Sequence, residues 1–204
     1  MNDRVFKHTE AHKLEDPERP KWLPPAEVLS RLGITPGMKV ADIGAGTGYF
    51  AIPIARAVGN SGQVIAVDLQ PEMLEMLRRK LEIADAPTNI SLQQGSASSL
   101  PLGDASVELV LYANIWHELD DHDLALREAF RVLGSGGRIA ILDWRKDKAP
   151  PPGPPQEHRI SADSVSAFLR SNGWRQISSH DVGAYGYVVI AGLPLNTDEP
   201  AAHP

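Results

Sequence analysis

Val40-Ala41-Asp42-Ile43-Gly44-Ala45-Gly46-Thr47-Gly48-Tyr49-Phe50 is an apolar run that ends in an acid and then breaks into three alternating glycines. The pattern predicts a strand, a tight turn and the start of a helix. Glycines at alternate positions permit positive φ and remove side chains that would hold a ligand away from main-chain amides. A nucleotide-like ligand is therefore expected at this turn. The dinucleotide fingerprint G-x-G-x-x-G does not fit, because after Gly44 and Gly46 it needs its third glycine at Tyr49, and the glycine falls one residue early, at Gly48. That fingerprint also gives no role to Asp42.

Outward from the turn, short apolar runs alternate with amphipathic stretches. Strands are expected over residues 39–43, 63–68, 89–94, 107–113 and 138–143, and helices over 26–32, 49–58, 71–84, 123–133 and 161–171. The run Gln63-Val64-Ile65-Ala66-Val67-Asp68 is almost continuously apolar, as strands buried on both faces of a parallel sheet are. It ends in Asp68, about 20 residues past the glycine turn and so placed to accept hydrogen bonds from ribose hydroxyls, with Leu69 beside it. Two further strands, 174–182 and 187–191, are joined by Gly183-Ala184-Tyr185-Gly186, a connection short enough to force a hairpin and an antiparallel last strand. The expected fold class is α/β, a doubly wound, mostly parallel seven-stranded sheet closed by a terminal antiparallel hairpin. The expected organisation is an N-terminal arm (1–25), one domain (26–192) and a flexible tail (193–204).

In such a sheet ligands lie outside the carboxyl ends of the strands. The loop Asn114-Ile115-Trp116-His117-Glu118 follows the fourth strand there, and His117 is a candidate general base because imidazole titrates near neutral pH. The alternative is a hydrogen-bonded residue that holds the loop or cofactor. Trp116, Asp143, Trp144 and the hairpin-tip Tyr185 are candidate walls of an acceptor pocket, as is the proline-rich segment 150–155, which otherwise reads as a crossover linker. In the arm, His8 and His12 would share a helix face, but no third metal ligand is evident, so no metal site is expected. Alternatively Phe6, His8, His12 and Trp22 form a flap over the site, with His12 facing the pocket.

Composition narrows the choices. The chain has 204 residues, enough for one well-buried domain, with an ordinary 42% hydrophobic and 23% charged content. A formal net charge of −6 argues against a dedicated nucleic-acid binder. The absence of cysteine excludes disulfides, thiolate metal sites and cysteine nucleophiles. No apolar start resembles a signal peptide and no run is long enough to span a bilayer, so a cytoplasmic protein without membrane insertion is expected. Oligomeric state is left open.

Asp-x-Gly-x-Gly-x-Gly at 42–48 resembles the first motif of class I S-adenosylmethionine (SAM)-dependent methyltransferases, and the resemblance runs from Trp22 to Ala191. Gly95-Ser96-Ala97-Ser98-Ser99-Leu100-Pro101-Leu102 is similar to that family's Gly-Asp-Ala-x-x-Leu-Pro-Phe, with Ser96 in place of the acid that contacts the adenine amino group. Arg131-Val132-Leu133 before Gly136-Gly137 is similar to its late motif, with Ser135 for the usual proline. The closest flavour is that of small stand-alone enzymes related to those of ubiquinone and menaquinone biosynthesis; the segments 12–19 and 141–146 point to a bacterial subgroup. The resemblance implies SAM as cofactor, with Asp42, Gly44, Ala45, Gly46, Gly48 and Tyr49 around the methionine part, Asp68 and Leu69 at the ribose, Ser96 and Ala97 at the adenine, and Asn114 at the cofactor's amino end. Tyr49 or Trp144 would offer an aromatic face to the cationic cofactor. The implied activity is methyl transfer to a small-molecule acceptor. The alternatives are a SAM- or S-adenosylhomocysteine-binding sensor without turnover, and an RNA or protein methyltransferase. The last is disfavoured by the acidic balance and by the lack of an Asn-Pro-Pro-Tyr-like element after the fourth strand.

Overall fold

The computed structural model describes residues 5–150 and 152–193. The apolar runs become strands β1 (Lys39–Ile43), β2 (Gln63–Asp68), β3 (Ile90–Gln94), β4 (Val107–Ala113), β5 (Leu133–Trp144), β6 (Arg175–Val182) and β7 (Gly186–Gly192). They form one sheet in the order β3-β2-β1-β4-β5-β7-β6. β1 to β5 are parallel, and β7 runs antiparallel between β5 and β6. The helices are α1 (Arg19–Trp22), α2 (Pro25–Leu32), α3 (Ala51–Val58), α4 (Pro71–Leu81), α5 (His122–Val132) and α6 (Ala162–Ser171).

Both faces of the sheet are buried, which is why its strands read as continuous apolar runs. Val40, Val64, Leu109 and Leu111 pack with Leu32, Ile54 and Leu77 from α2, α3 and α4. Ala41, Ile43, Val67 and Ile139 pack with Leu126, Ala129, Val165 and Leu169 from α5 and α6. The switch point of this doubly wound order lies between β1 and β4, so the glycine turn after β1 and the loop after β4 flank one crevice.

Several boundaries differ from expectation for local reasons. α3 starts at Ala51 because residues 47–50 are used in the turn. α4 stops at Leu81. The glycine cluster 134–137 does not precede the fifth strand but bulges within it, since Leu133 already pairs with Val107 before Arg138 resumes opposite Leu109. Asp121 caps α5 by accepting from the Leu124 amide, and Ser161 caps α6 by accepting from that of Ser164. The expected tail lies, beyond Leu193, outside the described residues.

The arm is built as a 3-10 helix, His8–Glu15, followed by α1. It crosses the carboxyl edge of the sheet. The Phe6 amide donates to Glu118 Oε2 (3.1 Å), Gln70 Nε2 donates to the Phe6 carbonyl (2.7 Å), and the His8 amide donates to Gln70 Oε1 (2.9 Å). Further along, Glu15 accepts from Thr47 Oγ1 and Lys80 Nζ. A 3-10 helix makes three residues per turn, so His8 and His12 diverge. His8 contacts Gln70, and His12 is exposed. Among the described residues no group of three or more His, Asp or Glu is arranged to hold a metal ion, and no helix is long and apolar enough to cross a membrane.

Candidate active site

Gly44, Gly46 and Gly48 all adopt positive φ, at 71°, 53° and 88°. A Cβ on Gly44 would stand 2.6 Å from Ile115, and one on Gly48 2.3 Å from Leu77. The amides of Gly44 and Ala45 donate to the Val67 carbonyl, which ties the turn to β2. At the end of β2, Asp68 Oδ2 accepts from the Gly46 amide (2.8 Å) and Oδ1 from the Gln70 amide (2.9 Å). Burial raises its pKa, and these amides offset part of the shift. Asp68 thus braces the glycine turn from the position expected to receive a ribose. Leu69, beside it, is 54% exposed on the rim. The Gly95 amide donates to the Asp68 carbonyl, so the segment carrying Ser96 and Ala97 abuts the same place. Across β1, Asn114 leaves β4 in the left-handed region, at φ 58°, a conformation uncommon for residues other than glycine.

Asp42 is 1% exposed, and neither carboxylate oxygen takes a hydrogen bond among the described residues. Burial pushes its pKa up to about 7, helped by the charge of Asp68. The Ala51 amide, which falls short of hydrogen-bond geometry, and the Arg19 guanidinium act against the shift. An unpartnered buried carboxylate costs free energy unless a cationic or hydrogen-bonding group joins it. This fits the amino acid part of S-adenosylmethionine, whose ammonium would sit against Asp42.

The second cluster is His117, Asp143 and Glu118. His117 Nδ1 lies 2.7 Å from Asp143 Oδ1, the His117 amide donates to Asp143 Oδ2 (2.9 Å), and the Trp144 amide donates to Asp143 Oδ1 (2.8 Å). Asp143 at the end of β5 therefore holds the imidazole by ring and backbone at once. Burial alone would depress the His117 pKa, but the charge of Asp143 and the hydrogen bond to it raise it instead. His117 Nε2 is 3.7 Å from Glu118 Oε1. Burial pushes the Glu118 carboxyl up to about 7 despite the neighbouring imidazole. His117 also borders a cavity of about 400 Å³, with Lys146, Glu157, His158, Ile160 and Ser161 among its walls.

The five expected pocket residues are placed elsewhere. Trp116 is 1% exposed and packs against Tyr112, His122 and Phe168, because the 3-10 turn at 116–118 directs its ring into the core. Trp144 is 8% exposed, packed against Trp22 and Gly153 with the Arg159 guanidinium 5.5 Å over its ring. Tyr185 does not line the cavity; its carbonyl accepts from the Arg145 amide. His12 is exposed on the arm. Asp143 lies behind His117 rather than in the pocket wall. Tyr49 is also engaged: its hydroxyl donates to the Leu23 carbonyl and Arg19 lies 3.8 Å above its ring. Sequence reasoning passed over Glu118, Gln70, Glu15 and Arg19. Glu118 had a usable signal, as an acid in a strand-end loop beside His117; the others have none, because the arm reaches the site through contacts far apart in sequence.

A sequence family described as a methyltransferase domain matches residues 41–141. The ubiquinone/menaquinone biosynthesis C-methyltransferase UbiE of Haemophilus ducreyi is 37% identical over 114 residues, 56% of this chain and 44% of that protein. Its namesake from Cronobacter sakazakii is 31% identical over 156 residues, 76% of this chain and 59% of that protein. The chain thus spans about half the length of these curated relatives. The crystal structure of a SAM-dependent methyltransferase from Aquifex aeolicus superposes with a TM-score of 0.85 at 31% identity, covering 92% of this chain and 99% of that one. With the glycine turn, the orphaned Asp42 and the terminal hairpin in place, this similarity over nearly the whole length of both chains shows that the chain belongs to the class I SAM-dependent methyltransferases, a family whose cofactor is S-adenosylmethionine.

Proposed function

We propose that the protein transfers a methyl group from S-adenosylmethionine to a small polar acceptor seated beside His117. The observation that carries this reading is the Asp143–His117 pair, buried at the carboxyl edge of the sheet in the loop that follows β4, with His117 bordering a cavity. Bound S-adenosylmethionine supplies an already activated methyl electrophile, so the protein has to align the acceptor, exclude water and remove a proton. Asp42 and the glycine turn would hold the methionine part, Asp68 the ribose, and the Ser96–Ala97 segment the adenine. Ser96 offers a hydroxyl in place of a carboxylate, which makes this wall of the site uncharged. With its Nδ1 proton directed at Asp143, His117 presents Nε2 as the base. Of the residues named around the cavity only Ile160 is aliphatic, and this favours a small polar acceptor over one with a large apolar body.

The test has two stages. Calorimetry with SAM, S-adenosylhomocysteine and NAD comes first; tight NAD binding without SAM affinity overturns the reading. A screen of small hydroxyl-, amino- and carbon-acid acceptors with methyl-labelled SAM then finds turnover. In that assay His117→Ala lowers kcat by roughly 10²- to 10⁴-fold while leaving SAM affinity unchanged. The base works neutral, so activity rises with pH through the raised His117 pKa. Asp143→Asn removes the charge that raises it, which moves the rise to lower pH while lowering the plateau. Unchanged turnover in both variants would remove His117 as the base.

A further inference from the structure

The arm brings a second buried charge to the glycine turn. Arg19, in α1, is 7% exposed, and among the described residues its guanidinium makes one hydrogen bond, from Nη1 to the Leu14 carbonyl (3.0 Å). Its flat face covers the Tyr49 ring at 3.8 Å. Glu15, the acid nearest in sequence, does not neutralise it by contact, because its carboxylate is taken by Thr47 and Lys80. Asp42 is close enough to interact electrostatically with Arg19, yet the two form no ion pair. Burial lowers the Arg19 pKa to about 10, which leaves it a cation throughout the neutral range.

An under-bonded buried cation and an unpartnered buried anion, on opposite flanks of one ligand-binding turn and not joined to each other, are complementary to a zwitterion. We propose that Arg19 binds the α-carboxylate of the cofactor's methionine moiety, while Asp42 takes its ammonium. This rests on the cofactor reading above and extends it to the arm. A guanidinium suits the task because its fork of donors matches a carboxylate and its charge is retained when buried. Its seat on Tyr49, whose hydroxyl is anchored on the Leu23 carbonyl, fixes the fork before the ligand arrives. The arm is then part of the cofactor site as well as its cover: Leu14, whose carbonyl holds Arg19, has its side chain 3.5 Å from the Cβ position of Gly46.

The experiment is calorimetry with three ligands: SAM, decarboxylated SAM, and 5′-methylthioadenosine, which lacks the whole amino acid part. The wild-type chain is expected to bind SAM roughly 10- to 100-fold more tightly than decarboxylated SAM, the range of a charge-assisted hydrogen bond. In Arg19→Gln that ratio falls to near one, with methylthioadenosine affinity unchanged; Arg19→Lys restores part of it. If Arg19→Gln weakens both SAM and decarboxylated SAM equally, or neither, the assignment is overturned and the residue only holds the arm. A change in methylthioadenosine affinity equal to the change in SAM affinity would likewise show a folding defect and overturn it. If the wild type binds none of the three, the cofactor reading itself fails, a result distinct from a failure of Arg19.

Discussion

Asp42 is costly to the ligand-free protein, because a carboxylate at 1% exposure with no hydrogen bond prefers to keep its proton. The groups facing it are Asp68, which reinforces that preference, and the Arg19 guanidinium and Ala51 amide, which oppose it. An ammonium brought against it would favour the charged form. At pH 6, below the Asp42 value of about 7, SAM binding should therefore release close to one proton. Calorimetry in buffers of different ionisation enthalpy reads this directly, and affinity should fall as pH drops below 7. Asp42→Asn should remove both the proton release and most of the affinity; binding enthalpies that do not depend on buffer would refute the pairing. At this scale the sequence is legible where backbone demands are strict. Three alternating glycines with an acid before them admit few conformations, and all three take positive φ. Trp116 and Trp144 were not legible, because a large aromatic in a strand-end loop can face either the crevice or the core. That choice depends on a 3-10 turn and on a partner, Trp22, 122 positions away in the case of Trp144.

The proline-rich segment after β5 shows how an element with little regular structure is held in place. Arg159, 1% exposed, donates through Nε to the Pro154 carbonyl, through Nη1 to those of Arg145 and Lys148, and through Nη2 to that of Pro152. A proline-rich segment has few amides to pair with its carbonyls; one guanidinium answers four carbonyls here, two of them on prolines. Lysine cannot reproduce that fork. Arg159→Lys should destabilise the protein by about 2–4 kcal/mol, seen as a lower denaturation midpoint, and should speed proteolysis between residues 146 and 158. Because Lys146, Glu157 and His158 border the cavity beside His117, the same variant should raise KM for an acceptor more than it changes SAM affinity. Wild-type stability in Arg159→Lys would show that the segment is held by packing alone. The parallel strands were readable from their apolar runs, and the short hairpin connection announced the antiparallel β7. The bulge at 134–137 was not readable, since a glycine cluster marks a turn equally well before a strand or inside one. The arm's 3-10 helix was hidden for another reason: its polar, proline-punctuated sequence folds against strand ends as distant as Glu118, 112 residues from Phe6.

Over the whole molecule, the groups that shape the crevice also set how stability responds to pH. Asp42 and Glu118 have folded-state pKa values of about 7, well above the unfolded carboxylate range, so between roughly pH 4 and 7 the folded state holds protons that the unfolded state has lost. Their contribution to stability falls as pH rises through that window. His117, also raised, acts in the same direction: its contribution is complete below the unfolded imidazole pKa and is lost as pH climbs through the folded value. The carboxylates with lowered pKa values, Glu10, Glu15, Glu128 and Asp147, act oppositely, but below the unfolded carboxylate range. Between pH 5 and 8 the ligand-free protein should therefore become less stable as pH rises, with a higher Tm at pH 5.5 than at pH 8. Asp42→Asn should raise the Tm at pH 8, by an amount on the order of a few kcal/mol of stability, and leave that at pH 5 nearly unchanged. S-adenosylhomocysteine, which carries the same ammonium as SAM, should reproduce that gain in the wild type by mass action and add nothing specific to pH 8 in the variant. A Tm that is flat or rising from pH 5.5 to 8 would mean that Asp42 and Glu118 are not held above the unfolded carboxylate range in solution. A falling Tm that Asp42→Asn flattens would show the stability cost of keeping a buried carboxylate ready for the cofactor's ammonium.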